Sequence, residues 1–490
     1  MNIKQAKNEI KHSVQAYLKK DEFGDYIISE KNQRPLLLIG PPGIGKTQIM
    51  EQIAKECEIS LVSYTITHHT RQSAVGLPFI KEETFNETTY SITEYTMSEI
   101  IASVYKKIKE TGLQEGILFI DEINCVSETL APTMLQFLQN KTFGNQKVPK
   151  GWIIVAAGNP AEYNKSVRDF DMVTLDRIRY IQVEADYSIW KEYALERNIH
   201  PMILSYLELK PSSFYRVETT IDGMEFVTAR GWEDLSHLIR LYEELKIEIN
   251  KDTIYQYLHH EDISEDVDAY YTLYKKYQDD YGILDILDGK VSTQVYQRLA
   301  MADFDERVSF VSLLLDGLNK QFIAYTKEKK TTDAWYAFLK QYRATIETTS
   351  YQACLEQMNE DFNQKKKAQL LTNQEIHAFQ TFYKQLNSIS IPEHKDKKEA
   401  FEQAKAPFVK QTQKLKTIEA QTTNQLDHAF HFMQETFGED QEMVIFVTNL
   451  ALSARSALFL SEHECQAYEQ EKQTLLIGTQ KAKLLDELAH

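Results

Sequence analysis

Gly40-Pro41-Pro42-Gly43-Ile44-Gly45-Lys46-Thr47 sets three glycines, a lysine and a hydroxyl at the spacing of a loop that wraps a phosphate chain. The glycines let consecutive backbone N–H groups turn inward on phosphate oxygens, and the start of a following helix adds a favourable dipole. Lys46 is then expected to reach the β- and γ-phosphates of a nucleotide, Thr47 to ligate Mg²⁺, and Gln48 to continue the binding stretch. A second set of reactive groups closes the apolar run Gly116-Ile117-Leu118-Phe119-Ile120, which ends in Asp121-Glu122. Downstream of a phosphate loop, Asp121 suits the strand-end acid that holds the Mg²⁺, and Glu122 suits the group that polarises an attacking water. A third apolar run, Trp152 to Ala157, ends in Gly158-Asn159-Pro160, where Asn159 is placed to orient that water or to touch the γ-phosphate.

These side chains need strands and helices to hold them. Leu36-Leu37-Leu38-Ile39 reads as a buried strand feeding the loop, and Ile49, Met50, Ile53, Ala54 and Cys57 follow at helical spacing. Leu61 to Thr67 reads as the next strand, followed by His68-His69-Thr70-Arg71. Gly76-Leu77-Pro78-Phe79-Ile80 and Tyr90-Ser91-Ile92-Thr93 then flank a polar, acidic tip (Glu82, Glu83, Glu87), a hairpin pattern. Thr96 and Glu99 fit a capping box for a helix whose stripe is Ile100, Ile101, Val104, Tyr105 and Ile108. A second hairpin is expected at 142–148. Leu175-Asp176-Arg177-Ile178-Arg179 precedes the alternating Tyr180-Ile181-Gln182-Val183, and Thr228-Ala229-Arg230-Gly231-Trp232 opens a helix with Arg230 in its first turn.

In this order and spacing, the phosphate loop, the acidic strand end, Asn159, Arg177 and Arg230 resemble an AAA+ ATPase of the MoxR type. Val75 to Ile80, Thr93 to Glu99 and Thr228 to Leu235 are the stretches most similar to a MoxR-type subgroup, and the likeness covers about the first half of the chain. The resemblance implies ATP and Mg²⁺ as cofactors, Asn159 as sensor 1, Arg177 as an arginine finger acting on a neighbouring subunit, and Arg230 as sensor 2. Arg168 and Arg179 lie near enough in sequence to compete for the finger role. It also implies a homo-oligomeric, hexameric ring that remodels a protein partner, commonly one with a von Willebrand factor A domain. That domain's D-x-S-x-S motif is missing here, because Asp262-Ile263-Ser264-Glu265 breaks it, so such a partner would be a separate chain.

The expected fold is an α/β P-loop (AAA+) domain with a parallel sheet, then a small helical lid and a large all-α C-terminal region. The boundaries are an N-terminal helix over 1–33, the nucleotide-binding domain over 34–190 with a hairpin insertion at about 71–95, and a lid over 191–248. Helices are expected over 249–345, and a long helical hairpin or a packed bundle over 346–490. Within that last region the apolar pattern predicts one long helix from Tyr351 to Leu386, a break at Asn387 to His394 around Pro392, and a second from Glu399 to Glu435. His428, His431 and Glu435 share a helical face, but their aromatic neighbours favour an amphipathic helix over a metal site.

Composition narrows the partners. At 490 residues with a formal net charge of −17, the chain has room for several domains and carries no concentrated basic surface for a nucleic-acid backbone. The clusters Lys365-Lys366-Lys367 and Lys395 with Lys397-Lys398 sit beside acids and glutamines, as solvated helix faces do. The competing class, a nucleic-acid translocase or helicase-type motor, would need basic hairpin tips, and the acidic 82–87 tip weighs against it. Four scattered cysteines form no CxxC pair. The first twenty residues lack the unbroken apolar core of a signal peptide, and Val444 to Leu460 carries Asn449 and Arg455, so the expected setting is cytoplasmic, without a membrane span. No NKxD base-reading motif points to GTP, which leaves ATP as the expected nucleotide.

Overall fold

A computed structural model of the chain describes residues 1–67, 70–86, 88–143, 146–163, 170–220, 223–391 and 396–474. The chain forms two compact units, one of Met1–Ile189 with Glu356–Tyr383 and one of Trp190–Leu355 with Lys384–His490.

Among its described residues the first unit has nine strands: β1 (Leu36–Ile39), β2 (Ser60–Thr65), β3 (Pro78–Phe85), β4 (Thr88–Tyr95), β5 (Gly116–Asp121), β6 (Thr142–Phe143), β7 (Gln146–Lys147), β8 (Trp152–Gly158) and β9 (Arg179–Gln182). Five of them make a parallel sheet in the order β2-β5-β8-β1-β9. Between Met1 and Leu175 this unit's helices, among the described residues, are α1 (Ile3–Leu18), α2 (Lys46–Glu56), α3 (Arg71–Val75), α4 (Glu99–Thr111), α5 (Ala131–Asn140) and α6 (Met172–Leu175).

The period-two geometry of a strand sends alternate residues to opposite faces, and both faces are covered. Leu36, Leu38, Phe119 and Val155 pack with Ile10 and Val14 of α1 and with Ile49, Met50 and Ile53 of α2. Leu37, Leu118, Ile154 and Ala156 face the other way, against Ile100, Ile101 and Val104 of α4 and Phe137 and Leu138 of α5. Each such fully buried Leu, Ile or Phe stabilises the sheet by about 1.5–3 kcal/mol. All five strands point the same way, so every residue that leaves a strand at its carboxyl end arrives at one edge of the sheet.

The β3–β4 hairpin stands off this sheet, in the register Pro78↔Tyr95 to Phe85↔Thr88. Lys81 pairs there with Glu94 at 3.1 Å and Glu83 at 3.9 Å, while Phe79, Ile80, Phe85, Tyr90 and Tyr95 are exposed. Glu87 of the expected acidic tip lies outside the described residues. The expected capping box at the start of α4 does not form. Ser98 occupies the N-cap position, its hydroxyl donates to the Ala74 carbonyl, and the Thr96 hydroxyl accepts from Leu77 N–H at 2.9 Å. Closing the base of the hairpin takes the groups that would otherwise have capped the helix.

The second unit is mostly helical. It also holds a hairpin that the helical-lid expectation omitted, β10 (Arg216–Thr219) with β11 (Met224–Val227). Its two longest helices, Phe304–Thr345 and Lys397–Phe437, run antiparallel, as shown by Lys397 meeting Glu347, Phe401 stacking on Tyr342, Lys414 on Glu328 at 2.6 Å and Phe432 on Phe310. At 42 and 41 residues they reach roughly 60 Å each. The apolar seam between them includes Phe310, Phe322, Leu426, Phe430 and Phe432, closed by Phe446 and Phe459.

The long helix expected over Tyr351 to Leu386 is two helices, Tyr351–Lys367 and Asn373–Asn387. Gln369 takes a left-handed φ of 60°, and Thr372 and Glu375 exchange hydrogen bonds as a capping box, so a new helix begins. Phe362 stacks on Phe379 at 3.8 Å between the two. Pro392 lies outside the described residues. Among the described residues no single helix is long and apolar enough to cross a membrane.

Candidate active site

Three consecutive exits from the sheet bring the predicted chemistry together. After β1 the chain turns through Gly43 (φ 75°) and Gly45 (φ 94°), both in the left-handed region where a side chain is strained. Gly45 is the N-cap of α2, so the loop ends with the free N–H groups of a helix start. Lys46 is buried, and its ammonium donates to the Gly40 carbonyl (2.7 Å), the Pro41 carbonyl (2.8 Å) and Asn159 Oδ1 (2.8 Å). A cation folded back on its own loop's carbonyls is held where phosphate oxygens would be stronger acceptors.

After β5, Thr47 Oγ1 donates to Asp121 Oδ2 at 3.0 Å, and the other carboxylate oxygen of Asp121 accepts from Glu122 N–H at 3.0 Å. Two hard oxygen donors, a hydroxyl and a carboxylate, on neighbouring elements fit the preferences of Mg²⁺. Glu122 sits in the left-handed region (φ 58°), which turns its side chain away from the strand line. Its carboxylate accepts from Thr67 Oγ1 at 2.9 Å, just beyond the end of β2. After β8, Asn159 receives Lys46 on its side chain, and its main-chain carbonyl accepts from Asn124 Nδ2 at 2.7 Å.

Thr67 and Asn124 are the participants that sequence reasoning missed. Each lies one or two residues past a strand end or inside the turn after one, and that position was the available signal. Cys125 is beside them, but burial first, and then the Glu122 and Asp121 carboxylates, push its thiol up, which leaves it a neutral neighbour rather than a nucleophile.

The three candidate arginines have different surroundings. Arg177 is exposed after α6 and donates to Gln139 Oε1 at 2.7 Å. Arg179 is the first residue of β9 and is committed within its own unit, to the Glu9 carboxylate and, at 2.6 Å, to Ser13 Oγ. Arg168 lies outside the described residues, as do His68 and His69. Arg230 is exposed in the first turn of the helix Ala229–Leu245, which Thr228 caps by accepting from Gly231 N–H at 3.2 Å, in the second unit. His428 meets the Leu287 carbonyl at 2.8 Å, and no His, Cys, Asp or Glu group able to hold a metal stands out among the described residues.

Residues 36–177, from the first residue of β1 to Arg177, match the family model described as "ATPase family associated with various cellular activities (AAA)". No curated protein matches the chain. Among solved structures, a Cytophaga hutchinsonii protein described as a "putative ATPase" is 17% identical over 38% of this chain and 46% of its own, with a TM-score of 0.24. The chain thus spans under half the length of that protein.

Proposed function

We propose that this chain hydrolyses ATP with Mg²⁺ as an AAA+ ATPase of the MoxR type, and that it works as a hexameric ring that remodels or activates a protein partner. The observation that carries the chemistry is the convergence of Lys46, Thr47, Asp121, Glu122 and Asn159 on one edge of a parallel sheet, within a segment that matches the AAA model.

In this reading the 40–48 loop binds the phosphate chain through backbone N–H groups, and Lys46 leaves the Gly40 and Pro41 carbonyls for the β- and γ-phosphate oxygens. Thr47 and Asp121 would hold Mg²⁺, which would supply charge neutralisation at the phosphates. Glu122 takes a proton from the attacking water, and Asn159 keeps both the water and Lys46 in line. Phosphoryl transfer is mostly positioning and electrostatic stabilisation, so the missing element is a further cation at the γ-phosphate. The exposed Arg177 suits that role on a neighbouring copy, and Arg230 suits sensor 2 in its own subunit.

The MoxR assignment rests on the similar stretches 75–80, 93–99 and 228–235 and on the β3–β4 hairpin inserted before the acidic strand. The protein-partner reading rests on the net charge of −17 and on acids at the hairpin, which disfavour a nucleic-acid track. A separate von Willebrand factor A-domain protein is the expected partner. A cytoplasmic setting fits four cysteines that form no disulfide among the described residues.

Steady-state turnover of ATP by the purified chain, with and without Mg²⁺, tests the chemistry; no Mg²⁺-dependent turnover sinks it. A pull-down from the native host with Glu122→Gln held in ATP tests the partner. An enriched protein supports the remodelling role, whereas nuclease-sensitive nucleic acid alone replaces it with translocation.

A further inference from the structure

Asn124 is 5% exposed in the short turn Ile123–Cys125 that follows the Asp121-Glu122 pair. Its Nδ2 donates to the main-chain carbonyl of Asn159, 2.7 Å away across two strand exits. Its Oδ1 is buried and meets no hydrogen-bond partner among the described residues. Turning the amide over would set oxygen against the Asn159 carbonyl, so the observed orientation is the one that donates.

The neighbouring strand end is shaped around this amide. A Cβ at Gly158 would lie 2.3 Å from Asn124 Oδ1, 2.7 Å from Cγ and 3.0 Å from Nδ2. Gly158 is therefore the residue at which any side chain would expel Asn124. A buried acceptor left without a partner is a cost that packing alone gives no reason to keep. The bond it accompanies fixes the peptide after β8, from which the Asn159 side chain leaves to hold Lys46 at 2.8 Å.

We propose that Asn124 is a positioning residue for ATP hydrolysis. It locks the carboxylates at the end of β5 to Asn159 at the end of β8, so that Glu122, Asn159 and Lys46 act as one rigid set. The proposal rests on the ATPase reading above. Asn124 touches none of the reacting atoms; it acts through the Asn159 main chain. Losing it leaves the phosphate loop intact but lets the lysine's partner drift relative to the acid.

The test is a mutant cycle on the full chain, read as kcat and KM for ATP, with ATP affinity measured separately by a fluorescent analogue. Asn124→Ala is expected to lower kcat about tenfold and to leave affinity within about twofold, the magnitude that a small misplacement of catalytic groups produces. Gly158→Ala is expected to give the same loss by displacing the amide. The double variant is expected to be no worse than Asn124→Ala alone, because the three atoms nearest the new Cβ all belong to Asn124. Losses that multiply in the double variant, or an Asn124→Ala enzyme with unchanged kcat, overturn the positioning role. So does a parallel loss of ATP affinity, which would mark a general structural defect. A wild-type chain that does not hydrolyse ATP overturns the underlying reading itself, and this proposal with it.

Discussion

Thr67 hands its hydroxyl hydrogen to the Glu122 carboxylate across 2.9 Å, which joins the strand-end acid to the exit of β2, three strands away from the phosphate loop. A carboxylate oxygen that accepts a hydroxyl is occupied by that bond, and its direction is set by the donor. Thr67→Val keeps the shape and removes the donor. We expect basal turnover to rise several-fold with unchanged ATP affinity; a fall in kcat would instead make Thr67 the group that aims the base.

Glu122→Gln keeps the side chain's size and removes its basicity. ATP should still bind, while kcat should drop by roughly 10²–10⁴, the range that a positioned general base contributes. Single-turnover kinetics on preloaded protein separates the two, and unchanged turnover would remove Glu122 from the mechanism.

Lys46→Ala removes the one ammonium that the loop folds around. A charge-assisted hydrogen bond contributes roughly 1.5–3 kcal/mol, so ATP affinity should fall at least ten- to a hundred-fold. Equilibrium titration reads this directly, and near-wild-type affinity would contradict the site.

Arg177→Ala and Arg179→Ala should fail differently. The first leaves a folded chain with depressed turnover that recovers when mixed with Glu122→Gln subunits, since each supplies what the other lacks. The second breaks the half-exposed contact with Glu9 and Ser13, where ion pairs are typically worth ~0–1 kcal/mol, and should shift the melting temperature without recovery on mixing. Recovery with Arg179→Ala instead would move the finger to that residue.

Acid should weaken the second unit at one identifiable point. Burial acts to raise the Glu243 carboxyl, but the hydrogen bond from His200, with the charges of His200 and Lys275, outweighs it and lowers the group from 4.5 to about 2. The sign follows from linkage: a depressed carboxyl adds stability above its ordinary range, and that stability is lost as pH falls through the lowered value. The gap in melting temperature between wild type and Glu243→Gln should therefore be full above pH 4.5 and close as pH falls toward 2. A gap constant over that window would exclude the linkage.

What the sequence disclosed depended on how local each signal was. Leu36 to Cys57 could be read as strand, loop and helix because the apolar pattern, the glycines and the lysine are contiguous, and β1 and α2 form there. Thr67 and Asn124 could not, because their partners Glu122 and Asn159 become neighbours only once the sheet order β2-β5-β8-β1-β9 is known. Capping chemistry shows the same limit from both sides. Thr96 and Glu99 had the right spacing, but the Thr96 hydroxyl was drawn into the hairpin base, whereas Thr372 and Glu375 made a real box inside what the apolar stripe presented as one continuous helix. Which helix lies along Lys397–Phe437 was not legible either, and a hairpin and a bundle both stayed open, since a helical pattern states its own extent and says nothing of its neighbour.

Glu347 and Lys397 meet where the two long helices come together, so the chain leaves that pair of helices and rejoins it through one doorway. Such an arrangement separates inheritance from invention. The stretch between can be lengthened or trimmed without resetting the seam of Phe310, Phe430 and Phe432 farther down, so a lineage could vary the one while inheriting the other.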